Sequence, residues 1–137
     1  MYDNLIAQGK NGSGKTGAFA IGTSLRIDPA IHKPQVLVMC HIRELTIQIA
    51  DVYEKINKYN DITVGNLAKK GNQTSQHVIT CTIGKLRNSL DGKKPIDLSH
   101  VRCLVIDEAD FFFSDKENFE TLKAIFTKYL KQYQEKI

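Results

Sequence analysis

Gly9-Lys10-Asn11-Gly12-Ser13-Gly14-Lys15-Thr16 fits the pattern G-x-x-x-x-G-K-[ST], a loop that can wrap a phosphate group. Its glycines let the backbone curl until successive N–H groups point at phosphate oxygens, and a helix starting at its end adds the positive end of its dipole. Lys15 would then face β- and γ-phosphates, and Thr16 would offer its hydroxyl to Mg²⁺. Further along, the apolar run before Asp107-Glu108 ends in two carboxylates. Asp107 suits Mg²⁺, which demands hard oxygen ligands, while Glu108 can orient or deprotonate an attacking water. Taken alone, the first motif could be a glycine-rich turn before a lysine and the second an acidic cap on a loop. Together they imply binding of a nucleoside triphosphate with Mg²⁺.

Such motifs work only if strands and helices hold them. Short apolar runs alternate here with helical patterns, which predicts a three-layer α/β/α sandwich with a mainly parallel sheet. Leu5-Ile6-Ala7 reads as a brief strand entering the glycine-rich loop, followed by a helix over about 15–27 that stops at Asp28-Pro29. A buried strand at 35–40 leads into a helix over 44–59 carrying Leu45, Ile49, Val52 and Ile56 at helical spacing. Strands are expected at 62–68, 77–82 and 101–107, with a helix over 84–90 between the last two. Ser114-Asp115-Lys116-Glu117 fits a capping box for a final helix with the stripe Phe119, Leu122, Phe126, Tyr129 and Tyr133. Phe111-Phe112-Phe113 is expected to lie mainly in the core. Gly17 and Gly22 should weaken the first helix by about 1 kcal/mol each relative to alanine.

With 137 residues, 42% hydrophobic and 25% charged, the chain has the make-up of one globular domain and not of a disordered or fibrous protein. A formal charge of +4 leans toward a phosphate-bearing partner. Cys40, Cys81 and Cys103 show no CxxC spacing and read as buried reduced thiols, which points to an intracellular setting, cytoplasmic or nuclear. Four histidines share no metal-ligand spacing. No apolar stretch is long enough to span a membrane.

Asp107-Glu108-Ala109-Asp110, with Gly12-Ser13-Gly14-Lys15-Thr16, resembles motifs II and I of the DEAD-box RNA helicases. Between them His41-Ile42-Arg43-Glu44-Leu45 is similar to motif Ia, usually PTREL, and Thr82-Ile83-Gly84-Lys85 to motif Ib, usually TPGR. Lys70-Gly71-Asn72, where most members of the family have a Gly-Gly pair, is similar to the mRNA-export branch. The resemblance covers essentially the whole chain. It implies a RecA-like P-loop fold, incomplete here, with ATP and Mg²⁺ as ligands and Lys15, Asp107 and Glu108 in catalytic roles. It also implies contact with the sugar-phosphate backbone of single-stranded or duplex RNA through Arg43, Thr82, Gly84 and Lys85.

Here motifs Ia and Ib depart from the family. His41 and Ile83 replace prolines, Ile42 replaces a threonine whose hydroxyl can reach phosphate, and Lys85 lacks the bidentate fork of arginine. Arg43 could instead form a salt bridge, and Lys85 could be a solvated charge. The family's upstream Q motif, its Ser-Ala-Thr motif and its second RecA-like domain have no counterpart in these residues. Asp110, which the resemblance assigns to coupling with the Ser-Ala-Thr motif, is therefore expected to lack that partner. The chain is expected to act as a single copy and to be poor at turnover. Two rival readings are an inactive fragment or degenerate copy that binds RNA or a partner, and a P-loop ATPase outside the helicases.

Overall fold

The structure, a computed structural model, describes residues 4–10, 12–71 and 73–130. In chain order the elements are α1 (Lys15–Ser24), β1 (Val36–Cys40), α2 (Arg43–Ile56), β2 (Val64–Asn66), β3 (Val78–Thr82), α3 (Ile83–Leu90), β4 (Cys103–Ile106), α4 (Ala109–Ser114) and α5 (Lys116–Ile125), with a π-helical turn at Phe126–Leu130. The strands form one parallel sheet in the order β2-β3-β1-β4. β1 is central and every one of its residues is buried.

Alternation along β1 divides the core. Val36, Val38 and Cys40 meet Ala20 of α1 and Ile49 and Tyr53 of α2. Leu37 and Met39 meet Leu86 and Leu90 of α3, Phe112 of α4 and Leu122 and Ile125 of α5. These are the three layers expected. Fully burying each valine, leucine, isoleucine, methionine or phenylalanine among them contributes roughly 1.5–3 kcal/mol.

One expected strand does not form. Leu5-Ile6-Ala7 pairs with no strand among the described residues, and Leu5 and Ile6 are 87% and 98% exposed. Three residues supply too few ladder bonds to offset their ordering entropy unless a strand edge lies alongside. Among the described residues the outer side of β4 carries no paired strand. α1 also ends earlier than the periodicity predicts, because Arg26 and Ile27 donate to the Thr23 and Ser24 carbonyls in a tightened last turn. Ile27 still reaches the core.

α4 was not foreseen, and of its three phenylalanines only Phe112 is fully buried; Phe111 and Phe113 are 41% and 59% exposed. The cap of α5 falls one residue later than the capping box: Ser114 Oγ donates to the Phe111 carbonyl, and Asp115 Oδ1 accepts from Asn118 N–H at 3.0 Å. Leu122 of the expected stripe is buried, Phe126 and Tyr129 are partly so, and Phe119 is 37% exposed. Tyr133 lies outside the described residues.

Candidate functional site

The glycine-rich loop has a built geometry. Gly12 and Gly14 take φ of 77° and 85°, left-handed values that a side chain disfavours. A Cβ on Gly9 would sit 2.8 Å from Ser13 Oγ, so a side chain there would displace the Ser13 hydroxyl. Ser13 N–H donates to the Lys10 carbonyl, closing the turn. α1 then begins at Lys15 with Gly14 as its N-cap, no side-chain cap and no acidic residue in its first turn. Uncapped N–H groups and the positive dipole end are thus left for an anion. Lys15 Nζ donates to the Gly9 carbonyl and, at 3.1 Å, to the Lys10 carbonyl, so the ammonium is folded over its own loop. Thr16 is half-buried beside it. Asn11, the remaining loop residue, lies outside the described residues.

The acidic pair stands where β4 ends. Asp107 N–H donates to the Met39 carbonyl at 3.0 Å, fixing its backbone against β1. Glu108 adopts φ 52°, ψ 52°, a left-handed conformation costing a non-glycine residue on the order of 1–2 kcal/mol. That kink turns the chain from β4 into α4. Its N–H donates to Asp107 Oδ1, and its carbonyl accepts from Phe111 N–H. Its Oε2 lies 2.9 Å from His41 Nδ1. Asp110 is exposed in the first turn of α4.

Parallel register brings three candidate segments to one edge of the sheet, since Cys40 pairs with Thr82 and Met39 with Ile106. His41 to Arg43, Thr82 to Lys85 and Asp107-Glu108 all leave the sheet there. Arg43 is exposed at the start of α2, after an extended Ile42 that offers no side-chain cap. Beneath it Thr46 Oγ1 donates to the Arg43 carbonyl at 2.6 Å and accepts from Asn66 Nδ2. Thr82 caps α3 by accepting from Lys85 N–H, while Gly84 and Lys85 are exposed.

The glycine-rich loop joins this edge only indirectly. α1 is tied to α2 by Thr23 Oγ1 against Tyr53 Oη at 2.6 Å and by Asn57 Nδ2 donating to Ser24 Oγ at 2.9 Å. Among the described residues no hydrogen bond or ion pair links residues 9–16 to Asp107 or Glu108. Cys40, next to Asp107 across the ladder, is pushed up to about 12, first by burial and then by the charges of Asp107 and Glu108; it stays a thiol. Cys81 and Cys103 are also free, buried and shifted up by burial.

Sequence reasoning missed the contact of His41 with Glu108 and the Thr46–Asn66 support under Arg43. His41 had a signal: it directly follows a strand adjacent and parallel to the one ending at Asp107, so both leave the sheet at the same end.

Residues 1–137 match the family model described as DEAD/DEAH box helicase. The chain is 36% identical over 111 residues to ATP-dependent RNA helicase DBP5 of Yarrowia lipolytica, covering 78% of this chain and 22% of that protein. It is 38% identical over 119 residues to DEAD-box ATP-dependent RNA helicase 38 of Arabidopsis thaliana, covering 80% and 24%. Among solved structures, S. cerevisiae Dbp5 bound to RNA and ADP BeF3 superposes with a TM-score of 0.82 at 26% identity, over 93% of this chain and 34% of that one. The chain therefore spans about a quarter to a third of the length of these relatives.

Proposed function

Since the chain belongs to the DEAD/DEAH box helicase family, we propose that it forms the Mg²⁺-ATP-binding and RNA-binding portion of an ATP-dependent RNA helicase. The observation that carries this reading is the glycine-rich loop: two left-handed glycines, a close approach of Gly9 to the Ser13 hydroxyl, and a helix N-terminus without a side-chain cap that begins at Lys15. Residues 9–14 would cradle the phosphates through their N–H groups, and Lys15 would exchange its two loop carbonyls for β- and γ-phosphate oxygens. Thr16 and Asp107 suit Mg²⁺ because both offer hard oxygen. When bound, that ion neutralises charge on the phosphates. Glu108 is the water-orienting acid.

Arg43, Thr82, Gly84 and Lys85 are assigned to the sugar-phosphate backbone of RNA, in keeping with the exposure of Arg43, Gly84 and Lys85 at one end of the sheet; such contacts position RNA without reading its sequence. Asp110 is assigned to coupling with a further segment. Turnover calls for a second RecA-like domain to complete the site. An intracellular location, cytoplasmic or nuclear, suits three free thiols. No helix among the described residues is long and apolar enough to cross a membrane.

Titration calorimetry with Mg²⁺-ATP and Mg²⁺-ADP tests the nucleotide site. Wild type should bind both. Lys15→Ala should bind about 10–150-fold more weakly, the equivalent of one lost charged hydrogen-bonding group. Equal affinity in the two proteins would remove the basis of the assignment.

A further inference from the structure

His41 has no part in the reading above. Its Nδ1 is shut off from solvent without an aligned hydrogen bond, although Glu108 Oε2 lies 2.9 Å away. Its ring lies on that of Phe111, with centroids 4.4 Å apart and planes inclined by 33°. Phe111 N–H in turn donates to the Glu108 carbonyl. His41 therefore touches the turn between β4 and α4 at two points, one a carboxylate and one an aromatic face.

The Glu108 backbone is held by Asp107 and Phe111. Its side chain is half exposed, and His41 is its one polar partner among the described residues. A buried nitrogen without a partner is costly, and a small rotation of the imidazole would aim an Nδ1–H at the carboxylate and remove that cost. A carboxylate so restrained stays in one orientation, which a water-orienting group requires. His41 also lies two residues before Arg43, on the tight passage from β1 to α2, and extended Ile42 is all that separates them. Any displacement of Arg43 by a polyanion reaches the imidazole through two peptide units.

We propose that His41 is a positioning residue that orients the Glu108 carboxylate and ties it to the Arg43 turn, so that an RNA backbone engaged at Arg43 resets the acid. The proposal rests on the assignment of Glu108 as the water-orienting acid and of Arg43 as a phosphate contact.

The whole chain, labelled with ¹⁵N in its histidine rings and ¹³C in its glutamate carboxyls, provides the test by NMR. His41 is identified by the signal lost in His41→Asn, Glu108 by the signal lost in Glu108→Asp. In its neutral form the ring should be protonated on Nδ1. That tautomer should disappear in Glu108→Asp, whose carboxylate is one methylene too short. The Glu108 carboxyl signal should shift in His41→Leu and return toward wild type in His41→Asn, whose amide N–H reaches the same place. Single-stranded oligouridine should move the His41 and Glu108 signals together in wild type and leave both in place in Arg43→Ala. An Nε2-protonated ring indifferent to Glu108→Asp, or equal shifts in the Leu and Asn variants, overturns the positioning role. Oligouridine that fails to bind, or binds without moving either signal, overturns the tie to Arg43. The two variants sit on different elements, so misfolding of one leaves the other as a readout. Mg²⁺-ATP calorimetry on the same samples separates the claims, because loss of nucleotide binding with the tautomer intact defeats the functional assignment and not the contact.

Discussion

His77 shows how much one buried side chain sets. It is 1% exposed, and its Nδ1 accepts from Thr63 N–H at 3.0 Å, so a proton placed there would meet another donor. Burial first, and then neighbouring His32, hold its pKa below the usual histidine value, against the opposing pull of the Pro29 carbonyl and Asp28. A depressed folded pKa means that the unfolded chain binds more protons. The contribution of His77 to stability is therefore complete above the unfolded value near 6.5 and falls away as pH drops below it. Thermal unfolding between about pH 8 and 5 should show the midpoint declining on the acid side, more steeply in wild type than in His77→Gln. Parallel profiles would contradict this. At the other edge of the sheet, Glu108→Gln keeps the size of the side chain and removes its charge; it should leave Mg²⁺-ATP affinity within about threefold in calorimetry, because Glu108 is assigned to water and not to phosphate.

α1 is weak by composition and is held by its neighbours. Gly17 and Gly22 occupy helix interior without close contacts, so a Cβ at either would meet open space. Gly22→Ala should therefore stabilise the chain by about 0.5–1 kcal/mol, read as a higher urea midpoint at unchanged slope; a lower midpoint would mean that the glycine serves a contact the helix geometry does not reveal. Tyr53→Phe should act oppositely, losing the Thr23 bond and about 0.5–1.5 kcal/mol. Legibility in the sequence follows the same lines. β1, β3 and β4 were readable because buried parallel strands are continuous apolar runs, and α2 because one face repeats at helical spacing. Leu5-Ile6-Ala7 has the composition of a strand, but pairing is a property of neighbours and no residue of the run encodes one. α4 was hidden because Phe111-Phe112-Phe113 has no helical period, and only the left-handed turn at Glu108 starts it. Motif spacing singles out Lys15, Asp107 and Glu108 as candidates, whereas the His41 contact arises from register between strands far apart in sequence.

Taken whole, the molecule carries the loop assigned to nucleotide and the strand ends assigned to RNA within about a quarter to a third of the length of its relatives. The isolated 137-residue chain should bind RNA weakly, with affinity falling steeply with salt and little preference for sequence, as fluorescence anisotropy over a salt series would report. Tight binding that survives 0.5 M salt, on the order of a tenfold excess over a 50 mM buffer, would contradict phosphate-only contact. Its ATP hydrolysis should stay near background, because an arginine finger typically contributes about 10³–10⁵ in rate, while Arg43 is assigned to RNA and Arg87 pairs with Asp91; RNA-stimulated turnover near 1 s⁻¹ would overturn that expectation. The outer side of β4 adds a different behaviour. Cys103-Leu104-Val105-Ile106, which no further strand flanks among the described residues, carries none of the lysines or prolines by which sheets protect such a border, and its last three residues are only half covered. Such a border templates further strands. At rising concentration the chain should turn from single particles into growing assemblies rich in intermolecular β-structure, visible as increasing light scattering and a low-frequency amide I band, and purification would have to be kept dilute to recover it in a state fit for binding measurements.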